Sequence, residues 1–291
     1  MERVTWYAER ILTAWREQMP LPLLFFFILL VISLVVRGRK SWTKRASVGV
    51  IATLVLVTLN LIIGPFEGVA ESVLKEGYEN FKLPQTSKAW WDRFPAWLLV
   101  VFAIVTKDFA DYWSHRFLHH KLLWPVHSIH HSDPDVNPLT TFRVHEIEGL
   151  VMNVSYLLLL TWLNLPPEAI GIVGTVLLFH NMYVHTNVDW GHGPLRLLIA
   201  SPRYHRWHHA DIPEAHGKNL ANVIPLFDVV FGTYYCPGPC DAPLGAEGVP
   251  EHNPFKLALF PFVLWMRDLR EFVGRGVAGV KGVFGRGEAS G

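Results

Sequence analysis

Apolar residues in this chain gather into long runs separated by short charged stretches. The first twenty residues are different: Trp6, Tyr7, Ile11, Leu12 and Trp15 stand among charges, the pattern of an amphipathic helix at an interface. A continuous apolar run from Leu21 to Val36 follows, bounded by Pro20 and by the basic cluster Arg37, Arg39, Lys40, Lys44 and Arg45. Such a basic loop marks the cytoplasmic side of a membrane. The second run, Val48 to Ile63, ends at Gly64-Pro65. Residues 66–94 are mixed and more acidic, with Glu67, Glu71, Glu76 and Glu79, and suit the opposite side. Trp90, Trp91 and Trp97 then read as an aromatic belt opening a third run over 95–112. Residues 149–163 and 168–184 form a helical hairpin turned at Asn164-Leu165-Pro166-Pro167. Each arm is short against the roughly 20 residues that cross a bilayer, so the hairpin is expected to tilt or to insert only deeply. Phe255 to Met266, broken by Pro261, reads as an interfacial helix, and the glycine-rich residues 274–291 as a disordered tail.

These elements predict an all-α, multi-span membrane bundle capped by a cytoplasmic helical histidine-box region. Five spans place the amino terminus outside; if the first run lies flat there are four, and the histidines stay cytoplasmic. By position the chain divides into an interfacial lead-in (1–20), membrane spans (21–112), a histidine-box region with the inserted hairpin 149–185 (113–235), and a closing loop, helix and tail (236–291). Composition agrees: 51% of residues are hydrophobic and only 18% charged, against about 25% charged in ordinary soluble domains. A net charge of +1 suggests neither a nucleic-acid nor an acidic partner. The only cysteines, Cys236 and Cys240, are separated by Pro-Gly-Pro and lack the spacing of a zinc ribbon or a thioredoxin site. No cleavable signal peptide is expected, because twenty mixed residues precede the first apolar run.

The histidines change the picture. Of 15, all but His252 lie between 115 and 216. Three boxes stand out: His115-x3-His119, His127-x2-His130-His131 and His205-x2-His208-His209. On a helix, positions i, i+3 and i+4 share a face, so each box can aim its imidazoles at one place, and several imidazoles on one face chelate a transition metal. With His180 and His185, which the hairpin returns to the same side, up to ten imidazoles are available. Four to six ligands saturate one ion, so ten imply two metals, held almost wholly by neutral nitrogen. His120 points about 100° away from His119, so only one of the two shares a face with His115, and His119 is favoured. Asp111, one turn before His115, is read either as the group that holds a ligand imidazole or as an acid at a helix end. His145 is read as a further ligand or a supporting group. His192, His216 and His252 read as ordinary surface or hydrogen-bonded histidines.

At these residues the chain resembles the fatty acid hydroxylase and sterol desaturase superfamily of integral-membrane di-iron oxygenases. The resemblance rests on Asp111-Tyr-Trp-Ser-His115-Arg-Phe-Leu-His119, then Trp124-Pro-Val-His127-Ser-Ile-His130-His131, His185-Thr-Asn187, Ser201-Pro-Arg-Tyr-His205-Arg-Trp-His208-His209, and finally Asn219 with Phe227-Asp228-x2-Phe231-Gly232-Thr233. It covers about residues 95–235. Departures are small: Asn219-Leu220-Ala221 and Phe227 differ from the common pattern, and neither is an expected ligand. The resemblance implies two iron ions, with zinc a possible substitute in purified protein. It also implies the use of dioxygen and two electrons to hydroxylate or desaturate an unactivated C–H bond of a lipid that enters from the bilayer. Relatives act on sterols, fatty acyl chains, carotenoids and alkylglycerol ethers. No flavin, nicotinamide or haem motif is present, so electrons are expected from a separate ferredoxin- or cytochrome-type protein with its reductase. The competing reading is a membrane metal transporter or metal-binding protein. Transport would want ionisable residues in mid-span, and the runs 21–36 and 48–63 carry none there.

Overall fold

A computed structural model describes residues 2–63, 72–73, 76–82 and 84–284, the side chains of 2–8, 40, 154–161 and 276–284 excepted. The side chains of Trp6 and Tyr7, the break at Gly64-Pro65, Glu67, Glu71 and the tail from 285 lie outside the described residues. Among those residues the chain is helical, with no β-strand and a single isolated bridge between Ala210 and Leu244. Helices α1 (Glu2–Gln18), α2 (Pro20–Arg37) and α3 (Lys44–Ile63) follow the predicted order. After the short α4 (Lys88–Trp91) come α5 (Ala96–Leu118), α6 (Trp124–His131), α7 (Glu146–Leu163) and α8 (Pro167–Val184). The chain closes with α9 (Pro202–His208), α10 (Leu226–Phe231) and the long α11 (Pro254–Phe284).

Two helices are long and apolar enough to cross a membrane by length and composition, Pro20–Arg37 and Lys44–Ile62. They are not the core of a soluble protein. Leu21, Leu24, Phe27, Val31 and Ile51 are each more than half exposed, a contiguous apolar surface that water would disfavour and a bilayer would cover.

Helix α5 carries the same logic with the faces reversed. Trp97, Val101, Val105, Phe109, Trp113 and Phe117, spaced every four residues, are all exposed. The opposite stripe of Ala103, Lys107, Asp111 and His115 is buried. A helix whose polar side faces inward and whose apolar side faces out is built for a lipid surround, where the cost falls on exposed polar groups. Residues 112 and 113, between which the sequence divides spans from histidine-box region, lie inside one continuous helix. The hairpin α7–α8 packs on α5, with Leu99, Ala103, Ala169, Val173 and Leu177 forming one buried cluster.

Three expectations change. Trp91 is not part of an exposed belt: it is 4% exposed, packs against Leu99 and Leu165, and donates its indole N–H to Leu163 O at 2.6 Å. Trp90 and Trp97 do face out. Pro261 does not break α11, which runs through it from Pro254 to Phe284; the lost hydrogen bond and the ring's clash with the carbonyl four residues earlier are confined to one turn. Residues 274–284 continue that helix where composition suggests a disordered tail, because extending a formed helix is far easier than starting one.

Candidate metal centre

Two short helices carry the second and third boxes. Helix α9 starts at Ser201, whose hydroxyl accepts from Tyr204 N at 3.2 Å, with Pro202 in the first turn where its missing N–H costs nothing. Helix α6 begins Trp124-Pro125 in the same way and is buried from Pro125 to His131. The first box lies at the end of α5, and His185 caps the end of α8.

Nine of the ten candidate ligands converge, in two groups. His115, His119, His127, His131 and His208 form one; His130, His185, His205 and His209 form the other, with the ligand atoms of each within 4.8 Å of one another. The boxes do not each point at one place, as their spacing suggested. In α6, His127 and His131 go to the first group and His130 crosses to the second; in α9, His205 and His209 go to the second and His208 crosses to the first. On a helix, i+4 lies about 40° from i while i+3 lies about 60° to the other side, so one box faces two neighbouring sites. The groups adjoin: the His131 and His209 rings are 4.6 Å apart, as are those of His131 and His208.

The protonation pattern shows what the groups are for. His115 Nδ1 lies 2.8 Å from Leu220 O, His208 Nδ1 2.8 Å from Lys218 O and His185 Nδ1 2.6 Å from Asn181 O. A carbonyl can only accept, so each Nδ1 carries the hydrogen and each Nε2 is left with a lone pair. His127 Nδ1 likewise donates to the buried Glu148 carboxylate at 2.9 Å. Yet His115 Nε2 and His127 Nε2 face each other at 3.0 Å. In the second group, His205 Nε2 is 2.9 Å from His185 Nε2 and 3.1 Å from His209 Nε2. Facing lone pairs repel unless a cation lies between them. Two nitrogens each about 2.1 Å from a common ion, at angles from octahedral to tetrahedral, sit roughly 3.0–3.4 Å apart. His119 Nε2, His130 Nδ1, His208 Nε2 and His209 Nδ1 are buried with no hydrogen-bond partner, which a buried imidazole tolerates poorly unless a metal engages the ring. Burial, and then the charge of neighbouring imidazoles, drives His127, His130, His131, His205 and His209 well below the ordinary histidine range; burial does the same for His208. All six are therefore neutral, as metal ligation requires.

Two of these carbonyls, Lys218 O and Leu220 O, belong to one loop, whereas Asn181 O lies in α8. Asp228 accepts from Leu220 N at 2.7 Å, Ala221 N at 2.9 Å and the Thr233 hydroxyl at 2.7 Å, and also from the Tyr204 hydroxyl. Asp108 of α5 accepts from Asn222 N, Val223 N and Ile224 N at 2.7–3.0 Å. Asn219, in the left-handed region at φ 57°, ties the loop to Tyr204 O and Tyr235 O.

The remaining candidates lie elsewhere. His180 is not in either group; its Nε2 is 3.1 Å from Asn222 O, where it props the same loop. His145 donates Nε2 to Ala258 O at 3.1 Å and accepts Ile147 N on Nδ1, which leaves no nitrogen for a metal. It joins the start of α7 to α11. Asp111 pairs with Lys107 and accepts from Asn222 Nδ2 at 3.2 Å, while the nitrogen of His115 it was expected to hold goes to Leu220 O. His119 is drawn in and His120 is exposed. Glu148, Asp108 and the supporting role of Asp228 were missed. An acid inside an otherwise apolar segment is the signal that marks the first two.

A cavity of about 390 Å³ adjoins the centre. His115 and His127 of the first group and His130, His185 and His205 of the second all line it. Its walls also include Leu118, Lys107 and Asp111 of α5, Met152 of α7 and Leu177 and Leu178 of α8.

Comparison with known proteins points the same way. Residues 100–233 match the family model described as fatty acid hydroxylase. The ornithine lipid hydroxylase OlsE of Rhizobium tropici is 29% identical over 72% of this chain and 65% of its own length. The alkylglycerol monooxygenase of Homo sapiens is 30% identical over 70% of this chain and 44% of its own, and that of Xenopus tropicalis 26% identical over 72% and 46%. The chain thus spans less than two thirds of the curated relatives it matches. No solved structure matches it. The matched stretch contains both histidine groups and the loop at 218–224, and these matches support the resemblance of the chain to the fatty acid hydroxylase superfamily.

Proposed function

We propose that this chain is an integral-membrane lipid hydroxylase whose nine clustered histidines hold two iron ions. The observation that carries the reading is the cavity lined by ligands of both groups and opening among the apolar helices α5, α7 and α8. When bound, the iron pair would supply dioxygen activation at an unactivated C–H bond, with two electrons from a separate ferredoxin- or cytochrome-type donor. The chain's own residues bind and orient the substrate. Leu118, Met152, Leu177 and Leu178 offer apolar wall to a hydrocarbon chain, while the Lys107–Asp111 pair and Asn222 offer hydrogen bonds to a polar end. That mixture suits an amphiphilic lipid better than a plain hydrocarbon. Asp111 acts at the substrate wall, and His145 and His180 position their neighbours.

Hydroxylation is favoured over desaturation because the relatives are named as a hydroxylase and monooxygenases. The runs at α2, α3 and α5 and the hairpin α7–α8 serve as five spans, and the basic cluster after α2 puts the histidines on the cytoplasmic face. The division into lead-in, spans, histidine-box region and closing segment is retained on that basis. The test is expression in a membrane host supplied with iron and a reductase system, with lipids compared against a His130→Ala, His208→Ala double variant. A hydroxylated lipid that requires dioxygen and both histidines is expected. Two bound metals with no altered lipid, across acyl, ether and sterol substrates, would sink the enzyme reading and favour metal transport or storage.

A further inference from the structure

A second cavity, of about 490 Å³, meets the metal centre from another side. It shares no lining residue with the first. Its base is His119, His131 and His208, all from the five-histidine group, and no residue of the four-histidine group lines it. Its rim is polar. Asp211 Oδ1 lies 3.2 Å from His216 Nε2, Asp211 Oδ2 accepts from Glu247 N at 3.1 Å, and His216 and Glu247 are exposed. The rim is clamped in place: Asp211 N donates to Pro243 O at 2.8 Å and Gly245 N to His209 O at 3.3 Å. At the base, His208 Nε2 is buried and without a partner.

We propose that this cavity is the metal-loading port of the five-histidine group, taking a hydrated divalent cation from water. Carboxylates and an imidazole at the rim attract such a cation and replace part of its water shell before the buried nitrogens complete the exchange. Six waters at about 30 Å³ each occupy roughly 180 Å³, so a hydrated ion fits with room to spare. The lipid-side cavity is a poor route for the same ion. There Asp111 is paired with Lys107 and Glu148 holds His127, and much of the remaining wall is apolar, so little of the ion's water shell would be replaced on the way in. The four histidines of the second group are all buried, whereas His119 of the first is partly open. The first group therefore fills and exchanges quickly and the second slowly. The inference rests on the two-metal reading and is independent of the lipid chemistry.

The experiment is cobalt(II) uptake by the metal-free full-length protein, followed by visible absorption, with total cobalt measured at the end. Wild type should fill in two phases, each corresponding to one bound cobalt. A Glu247→Gln, His216→Gln variant should slow the fast phase about tenfold, the lower end of what a charged cleft contributes to association. Ala246→Trp, which narrows the opening without removing charge, should also slow it. In every variant the final content should reach two cobalt, which shows that the protein is folded. Two cobalt bound at the wild-type rate by all variants would overturn the port alone. A wild-type protein that binds no cobalt would overturn the metal centre and the port with it.

Discussion

Glu148 shows how much a single side chain decides here. Its carboxylate takes the Nδ1 hydrogen of His127, which turns Nε2 toward the first group and raises its basicity. Glu148→Gln keeps the shape and loses the charge. Metal affinity should fall about 10- to 100-fold, measured by competition with a chelator of known strength. An unchanged affinity would mean that the contact only fills space. The buried boxes also set a pH dependence. The histidines of α6 and α9 are held neutral in the fold, with values driven well below 6.5, while in the unfolded chain they protonate near 6.5. Below that pH the unfolded state binds more protons, so stability falls as pH falls, by up to about 1.4 kcal/mol per pH unit for each histidine. Protons also compete with the metal, in the same direction. Thermal unfolding and metal retention measured from pH 8 down to 5.5 should decline together, most steeply below 6.5; a protein that gains stability on acidification would contradict the neutral assignment.

At the scale of elements, α5 presents two unlike faces. One stripe faces outward with Val101, Val105 and Phe109, and the other carries Asp108, Asp111 and His115 inward. Val105→Asp puts a carboxylate on the lipid face, at a cost of about 2.5–3.5 kcal/mol if it lies near the bilayer centre. The membrane-integrated fraction should drop, and Val105→Leu should leave it unchanged. On the inner stripe, Asp108 accepts three backbone N–H groups of the loop at 222–224, whose neighbours Lys218 and Leu220 orient His208 and His115. Asp108→Ala leaves those donors unsatisfied, at about 1–3 kcal/mol each, and frees the loop. A lower melting temperature together with lost metal is expected; a lower melting temperature with full metal would separate the loop from the centre.

Across the whole molecule, two cavities meet two histidine groups, one among apolar helices and one rimmed by charge. Much of this was legible in the linear chain. Helix order followed from the apolar runs, and a candidate metal site from the repeated His-x2-His-His spacing, because periodicity and ligand chemistry are local properties. Helical phase alone separates His119, which falls in the five-histidine group, from the exposed His120. Other features depended on which elements meet. Which site each imidazole joins was undetermined, since one box faces two directions until α5, α6, α8 and α9 come together. His180 and His145 look like ligands in sequence, and only their packed neighbours, Asn222 and Ala258, claim their nitrogens. The partner of His127 lies 21 residues away, and that of His115 lies 105 residues away. Residue type and spacing thus marked the apolar runs as helices and the box histidines as candidate metal ligands. Tertiary packing alone decided the division into groups of five and four histidines, the tautomers of His115, His127 and His208, and the two cavities that meet the groups, because each is set by contacts between segments that no local periodicity relates.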